Sequence, residues 1–231
     1  MKGKIKAVLL DFDGTIVKFT FDSQRAKAEI IEMLPESRLP QNLFKPEYRI
    51  SELFNKIEEY INTNPPKEDR ERAKTFKNRA EQIVERYEME GAKNTALIEG
   101  IKKVLEEIRE RGLKLAVITN NSIRPTRYAL QKIGLANFFD VILTRDATQF
   151  MKPHPQPIHK ALKKLGVHPS EAIFIGDSPI DIRASKEAGV AAIGVTTGVA
   201  NEEILRTSGA KIVIYNLERL ISIIESECKN I

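Results

Sequence analysis

Two aspartates with one residue between them, Asp11 and Asp13, close an apolar run and lead directly into Gly14 and Thr15. Carboxylates spaced this way after a buried strand lie near the carboxyl edge of a sheet, where open α/β folds bind ligands. Gly14 permits a sharp turn, and Thr15 adds a hydroxyl and a backbone donor, an arrangement suited to a metal and an anion. Asp and Gly after a strand also fit an ordinary capped turn. Other apolar runs end in polar groups as well: Thr119 and Asn120 after one, Asp177 and Asp181 after another, with Lys152 in a loop between them. Taken singly, Lys152 reads as a surface lysine, Thr119 as a local hydrogen bonder, and Asp177-Ser178-Pro179 as a helix cap. Together they compose one chemistry. Paired acids bind a hard divalent cation such as Mg2+ through oxygen. Lysine and backbone donors neutralise phosphoryl oxygens. A nucleophilic aspartate and a second aspartate serving as acid and base divide phosphate transfer into attack and hydrolysis.

For these residues to meet, the runs that carry them must be parallel strands. Ile5 to Leu10 has little polar alternation, as expected of a strand covered on both faces. Leu113–Ile118, Val141–Leu143, Ala172–Gly176 and Ala191–Val195 supply further strands, and Lys211–Ile214 a small edge strand. Helical spacing separates them: Ile101, Val104, Leu105 and Ile108; then about Pro125 to Ile133; then Ile158 to Leu165, stopped by Gly166. A helix around Ile182 to Ala188, a short one from Asn201 to Arg206 and a C-terminal one through Leu217, Leu220, Ile221 and Ile224 complete the alternation. Strand and helix in turn imply a parallel α/β core.

The stretch after the first strand is different. Asp22 or Ser23 caps a helix with Ala26, Ile30, Ile31 and Leu34 on its apolar face, and a break spans Pro35 to Pro46. A second helix carries Leu53, Phe54 and Ile57, and a third, from Lys67 to Met89, places Ala73, Phe76, Ala80, Ile83, Val84 and Tyr87 along one stripe. The expectation is an all-helical unit inserted into the α/β core, with 1–17 and 92–231 as the core and 18–91 as the insertion.

Composition narrows the function classes. The 231 residues carry a formal charge of +5 with both signs interleaved, which specifies neither nucleic acid nor a membrane surface. No apolar run is long enough to cross a bilayer. Cys228 is the only cysteine, so no intrachain disulfide forms, and His154, His159 and His168 lack zinc-site spacing. His154 is expected to support the proline-rich loop around Pro153 and Pro155. The start of the chain does not resemble a signal peptide, so a cytoplasmic location is the expectation. Lys, Glu and Ile are abundant, a balance associated with thermophiles. No dinucleotide fingerprint, P-loop or Gly-x-Ser-x-Gly elbow occurs.

Asp11-Phe12-Asp13-Gly14-Thr15, Thr119, Lys152-Pro153 and Gly176-Asp177-Ser178-Pro179-Ile180-Asp181 resemble, in order, the four motifs of the haloacid dehalogenase-like hydrolase superfamily. The subgroup it is similar to is the phosphoglycolate phosphatase-like one, with a Rossmann-like core and a helical cap. The resemblance implies Asp11 as nucleophile and Asp13 as acid and base, its backbone carbonyl joining Asp11, Asp177 and Asp181 around Mg2+. It implies that Thr119 and the Asn120 backbone N–H hold phosphate, and that Lys152 stabilises both Asp11 and the transferred group. Asp13 points to phosphoryl transfer, because the superfamily's dehalogenases lack the second acid.

The implied substrate is a small phosphorylated metabolite, phosphoglycolate among the candidates. Lys18 and Phe19 depart from the Asp-Ser or Asp-Thr pair of that subgroup, and the histidine and arginine of β-phosphoglucomutase-like members are missing. Nucleotide, pyrophosphate or phosphonate hydrolysis, the last through a lysine such as Lys27, Lys56 or Lys74, and non-catalytic phospholigand binding remain alternatives. No nucleic-acid or membrane partner is expected, and the chain is read as a monomer or homodimer.

Overall fold

Six parallel strands stand in the order β3-β2-β1-β4-β5-β6, which puts the first strand of the chain at the centre of the sheet. They are β1 (Ala7–Leu10), β2 (Lys114–Ile118), β3 (Val141–Leu143), β4 (Ala172–Gly176), β5 (Ala191–Val195) and β6 (Ile212–Ile214). The computed structural model describes residues 5–18 and 21–229, the last three by backbone alone. Phe19, whose departure from the subgroup pattern was noted above, and the side chain of Cys228 lie outside the described residues.

Both faces of β1 are covered, as its unbroken apolar run requires. Val8 and Leu10 enter a cluster with Leu105, Val117, Ile175 and Leu220, while Ala7 and Leu9 enter another with Ile118, Ile158, Leu162 and Phe174. The period of two along a strand sends neighbours to opposite faces. All four β1 residues are fully buried, and each Leu or Val so placed contributes on the order of 1.5–3 kcal/mol. Register sets Leu10 beside Val117 on β2 and Ile175 on β4, so the loops leaving these three strands emerge together.

The first four helices after β1 are α1 (Ser23–Glu32), α2 (Leu34–Ser37), α3 (Ile50–Asn62) and α4 (Lys67–Lys93). Asp22 caps α1 by accepting from the Arg25 N–H at 3.0 Å. These helices bury their own cluster, including Ile30, Phe54, Ile57, Phe76 and Val84, and Met151 joins it from outside the segment. The segment's two ends run side by side: Lys18 N–H donates to Ala96 O at 2.9 Å and Ile98 N–H to Ile16 O at 2.9 Å. The charged side of α4 is laced by pairs one turn apart, such as Arg72 with Glu68 and Asp69 and Lys74 with Glu71, as a solvated helical face requires.

Two local expectations need correction. The break from Pro35 to Pro46 contains α2 and a 3-10 turn at Gln41–Leu43. Pro35 sits in the first turn of α2, where its missing N–H would have had no helical acceptor. Helix α4 also passes Met89 and continues to Lys93. A helical glycine at Gly91 costs only about 1 kcal/mol, and Tyr87, Glu88 and Ala92 on the same turns are buried.

The remaining helices alternate with the strands: α5 (Ile101–Glu110), α6 (Ile123–Lys132), α7 (Gln156–Leu165), α8 (Pro179–Glu187), α9 (Glu202–Thr207) and α10 (Arg219–Lys229). Among the described residues no helix is long and apolar enough to cross a membrane.

Candidate active site

Beyond the carboxyl edge of β1, β2 and β4 lies a cavity of about 480 Å³ lined by Asp11, Asp13, Thr119, Asn120, Lys152, Asp177 and Asp181. These seven residues, candidates from the sequence, therefore meet at one wall. The opposite wall comes from the helical segment, with Lys27, Tyr48, Arg49, Phe54 and Val84 among its members.

Asp11 extends the β1 ladder by one bond, its N–H donating to Ile175 O at 2.9 Å, so its side chain is fixed by the sheet itself. The turn that follows uses Gly14 at φ +78°, a conformation natural to glycine. Thr15 is fully buried and absent from the cavity wall, so its hydroxyl does not serve the anion site expected of it. Lys152 is buried and spans two carboxylates, with Nζ 2.5 Å from Asp11 Oδ1 and 2.7 Å from Asp181 Oδ1. Its Nζ also lies 5.5 Å above the Phe174 ring centre, a position that favours a cation.

Asp177 and Asp181 are held by the turn between β4 and α8 and by the loop after β5. Asp177 Oδ2 accepts from the Val199 N–H at 2.7 Å. Asp181 Oδ2 accepts from Ser178 Oγ at 2.6 Å and Ser178 N–H at 3.2 Å, a helix-capping arrangement. Thr119 Oγ1 accepts from the Asn121 N–H at 3.1 Å. The Asn120 side chain has a contact of its own: its amide embraces the Lys152 peptide, accepting from N–H at 3.0 Å and donating to O at 2.9 Å.

One ligand oxygen from each of Asp11, Asp177 and Asp181 falls within 4.8 Å of the others. Oxygen-only donors in this number suit a hard divalent cation. The packing fits too: a Cβ on Gly14 would lie 2.5 Å from Asp177 Oδ2, and one on Gly198 would lie 1.9 Å from it. Glycine at both positions leaves Asp177 its place. Asp181 is the more encumbered member, since each of its oxygens already accepts a hydrogen bond.

The model of the family described as "Haloacid dehalogenase-like hydrolase" matches residues 8–195. The chain belongs to that family. A protein of Caldanaerobacter subterraneus subsp. tengcongensis named "Putative pyrophosphatase PpaX" is 30% identical over 96% of both chains. A Yersinia pseudotuberculosis protein named phosphoglycolate phosphatase is 36% identical to this hydrolase over 52% of each chain. Among solved structures, one from Haemophilus somnus 129pt, described as a "predicted phosphoglycolate phosphatase", covers 96% of the hydrolase and 98% of its own chain with a TM-score of 0.65. At 24% identity that last likeness speaks to the fold.

Charge at the edge of the hydrolase's sheet is unbalanced, with four carboxylates around one ammonium. Burial, reinforced by Asp181 and Asp177, pushes the Asp11 carboxyl well above its ordinary range despite the attraction of Lys152. Burial and then Asp11 push Asp13 up to about 7. Burial and Asp181 push Asp177 up to about 7. Burial works against the Lys152 charge, but Asp11 and Asp181 overcome it and hold the ammonium above the usual lysine value. A bound cation would relieve this repulsion.

Several site residues carried no sequence expectation. Asn121 Nδ2 donates to Asp13 Oδ2 at 2.5 Å. Arg145, in the loop after β3, pairs with Glu88 of α4, both buried, and also donates to Asn120 O at 3.1 Å. Glu88 had a visible signal, a charge four residues beyond Val84 on the apolar stripe of α4. His154 meets its expectation: its ring stacks on Phe150 at 4.5 Å and Nδ1 accepts from the Gln156 N–H at 3.1 Å.

Proposed function

We propose that this hydrolase is a Mg2+-dependent phosphatase of small phosphorylated metabolites, working through an aspartyl-phosphate intermediate. The observation that carries the reading is Asp11 bonded to Lys152 with Asp13 at the same cavity wall. Asp11 and Asp177, with the Asp13 backbone carbonyl, would hold the ion, and Asp181 would act through Lys152 or a water. Mg2+ when bound supplies positive charge for the phosphoryl oxygens.

Asp11 attacks phosphorus, and the bond to the leaving oxygen breaks as Asp13 gives that oxygen its proton. Asp13, now a carboxylate, takes a proton from water as the water attacks the phosphorus of the intermediate. Phosphate leaves and Asp11 is restored. Thr119 and the Asn120 backbone N–H hold the phosphoryl oxygens, and Lys152 balances charge on Asp11 and on the group in flight. An acid with its pKa near 7 suits both proton transfers.

In this reading residues 18–91 are a cap domain on a core of 1–17 and 92–231, and the cap wall of the cavity selects the substrate. A cytoplasmic monomer or homodimer acting on phosphoglycolate is the specific form. A second reading has its own support: the relative aligned over 96% of both chains carries a pyrophosphatase name. The deciding experiment measures phosphate release with Mg2+ across phosphoglycolate, pyrophosphate, sugar phosphates and nucleotides, with Asp11→Asn as control. Selective, Asp11-dependent release from one member names the substrate. Absence of Asp11-dependent release from every member overturns the phosphatase reading.

A further inference from the structure

The loop that delivers Lys152 has little regular structure of its own, so its shape depends on what satisfies its backbone. Two asparagines do this for consecutive residues. Asn120 brackets the N–H and carbonyl of Lys152. Asn55, on α3, brackets those of Met151: its Oδ1 accepts from Met151 N–H at 2.8 Å and its Nδ2 donates to Met151 O at 2.9 Å. A carboxamide is the side chain whose donor and acceptor match those of a peptide unit. Asn55 is 9% exposed on the buried face of α3, beside Phe54 and Ile57, where an amide without partners is costly.

The two braces come from different parts of the fold. Asn120 belongs to the sheet edge, whereas Asn55 belongs to the helical segment, and Met151 itself packs in that segment's apolar cluster. Gln149 adds a third tie to the same helix, donating to Glu58 at 3.0 Å and Asn62 at 2.9 Å. Asn55 does not line the cavity, so it has no route to substrate except through the loop.

We propose that Asn55 is a positioning residue for Lys152: by gripping the Met151 peptide, the helical segment holds the Lys152 ammonium between Asp11 and Asp181. The role rests on the phosphatase reading, because it concerns the geometry of that reaction. Docking of the helical segment thereby becomes part of the assembly of the catalytic charge cluster. When α3 lifts from the loop, Lys152 loses the brace on its upstream side.

The test is steady-state kinetics of Asn55→Leu, which removes both bonds and keeps the side-chain branching, beside Ile57→Val, which trims the same buried face and leaves them intact. Asn55→Asp, keeping the acceptor for Met151 N–H, serves if the leucine variant fails to fold. Wild-type release that depends on Asp11 is measured first, and its absence counts against the phosphatase reading itself. Misplacement of a catalytic group by about 1 Å costs on the order of 10²-fold, so kcat in the Asn55 variant should fall about ten- to a hundredfold with KM unchanged. A rise in KM with kcat retained would mean that Asn55 only anchors a substrate wall, and the role fails. An equal fall of kcat in Ile57→Val, or wild-type kcat in the Asn55 variant, overturns it as well.

Discussion

Asn121 Nδ2 and Asp13 Oδ2 lie 2.5 Å apart, a hydrogen bond between the loop after β2 and the loop after β1. Burial is the main cause raising Asp13 to about 7, with Asp11 adding to it and the Asn121 amide pulling the other way. An amide that donates to a carboxylate favours its ionised form. Removing it in Asn121→Leu therefore raises the pKa of Asp13 further. The first chemical step needs Asp13 protonated, so kcat/KM for an alkyl phosphate should fall above the Asp13 pKa, and in Asn121→Leu that fall should move to higher pH. An aryl phosphate whose leaving group needs no proton serves as control and should lack the shift. A profile that stays in place, or moves to lower pH, would refute the assignment of Asp13 as the acid.

The Glu88 and Arg145 pair joins α4 to the catalytic edge with both side chains almost fully buried. Burial raises the Glu88 pKa, and Arg145 offsets that rise. Removing one partner of a buried pair costs about 3–5 kcal/mol, because the other charge is left uncompensated. Arg145→Leu should lose stability of that order at neutral pH. The sign of its pH dependence follows from the raised folded pKa: the unfolded carboxyl ionises near its ordinary pKa of about 4.3 while the folded one resists. The loss therefore shrinks as pH falls through that value and grows as pH rises toward the folded pKa. Urea titrations at several pH values check this, and a loss independent of pH would exclude Glu88 as its source.

Lys27, Lys56 and Lys74 were equivalent candidates for a Schiff base when only their sequence positions were known. Lys27 lines the cavity and donates to Pro46 O, whereas Lys56 pairs with Glu59 and Lys74 with Glu71 at the surface. Phosphatase chemistry needs no imine. Borohydride added during incubation with phosphonoacetaldehyde should leave the chain unmodified; a reduced adduct mapped to Lys27 would instead establish the phosphonate route.

The strands were legible because each is a short apolar run closed by a polar group, a pattern that depends on local sequence alone. Ile5 marks the limit of that signal: it is buried, yet the first sheet hydrogen bonds are made by Lys6 and β1 starts at Ala7. The helix end at Met89 and the break from Pro35 misled because Gly91 and Pro35 both have tolerated positions that only the fold selects. The motif residues converge since parallel strands align their carboxyl ends. Their supporting partners could not be read the same way. Asn121 meets Asp13 across 108 residues, Asn55 meets Met151 across 96, and Arg145 meets Glu88 across 57. Nothing local in the sequence encodes which of many polar side chains will face which, since that depends on how the helical segment seats on the sheet.

Gly198 provides a direct test of the metal assignment. It shows no positive backbone φ, so alanine there meets no conformational penalty of its own and acts only through its added methyl. That methyl would stand 1.9 Å from Asp177 Oδ2 and 2.5 Å from its carboxyl carbon. Asp177 cannot swing away freely, because the same oxygen accepts from Val199 N–H at 2.7 Å. Displacing a group that orients a metal ligand typically costs 10–100-fold in metal affinity. Gly198→Ala should therefore raise the Mg2+ concentration for half-maximal activity by about that factor, and saturating Mg2+ should restore much of kcat. The thermal midpoint gives a second readout independent of turnover: Mg2+ should raise it in the wild type by mass action, and the rise should need correspondingly more Mg2+ in the variant. Gly112→Ala is the comparison, since its added methyl meets nothing within 4 Å while its φ of +69° makes alanine strained. It should lower the midpoint without moving the Mg2+ requirement. If the two variants respond to Mg2+ alike, Asp177 is not a ligand of the ion.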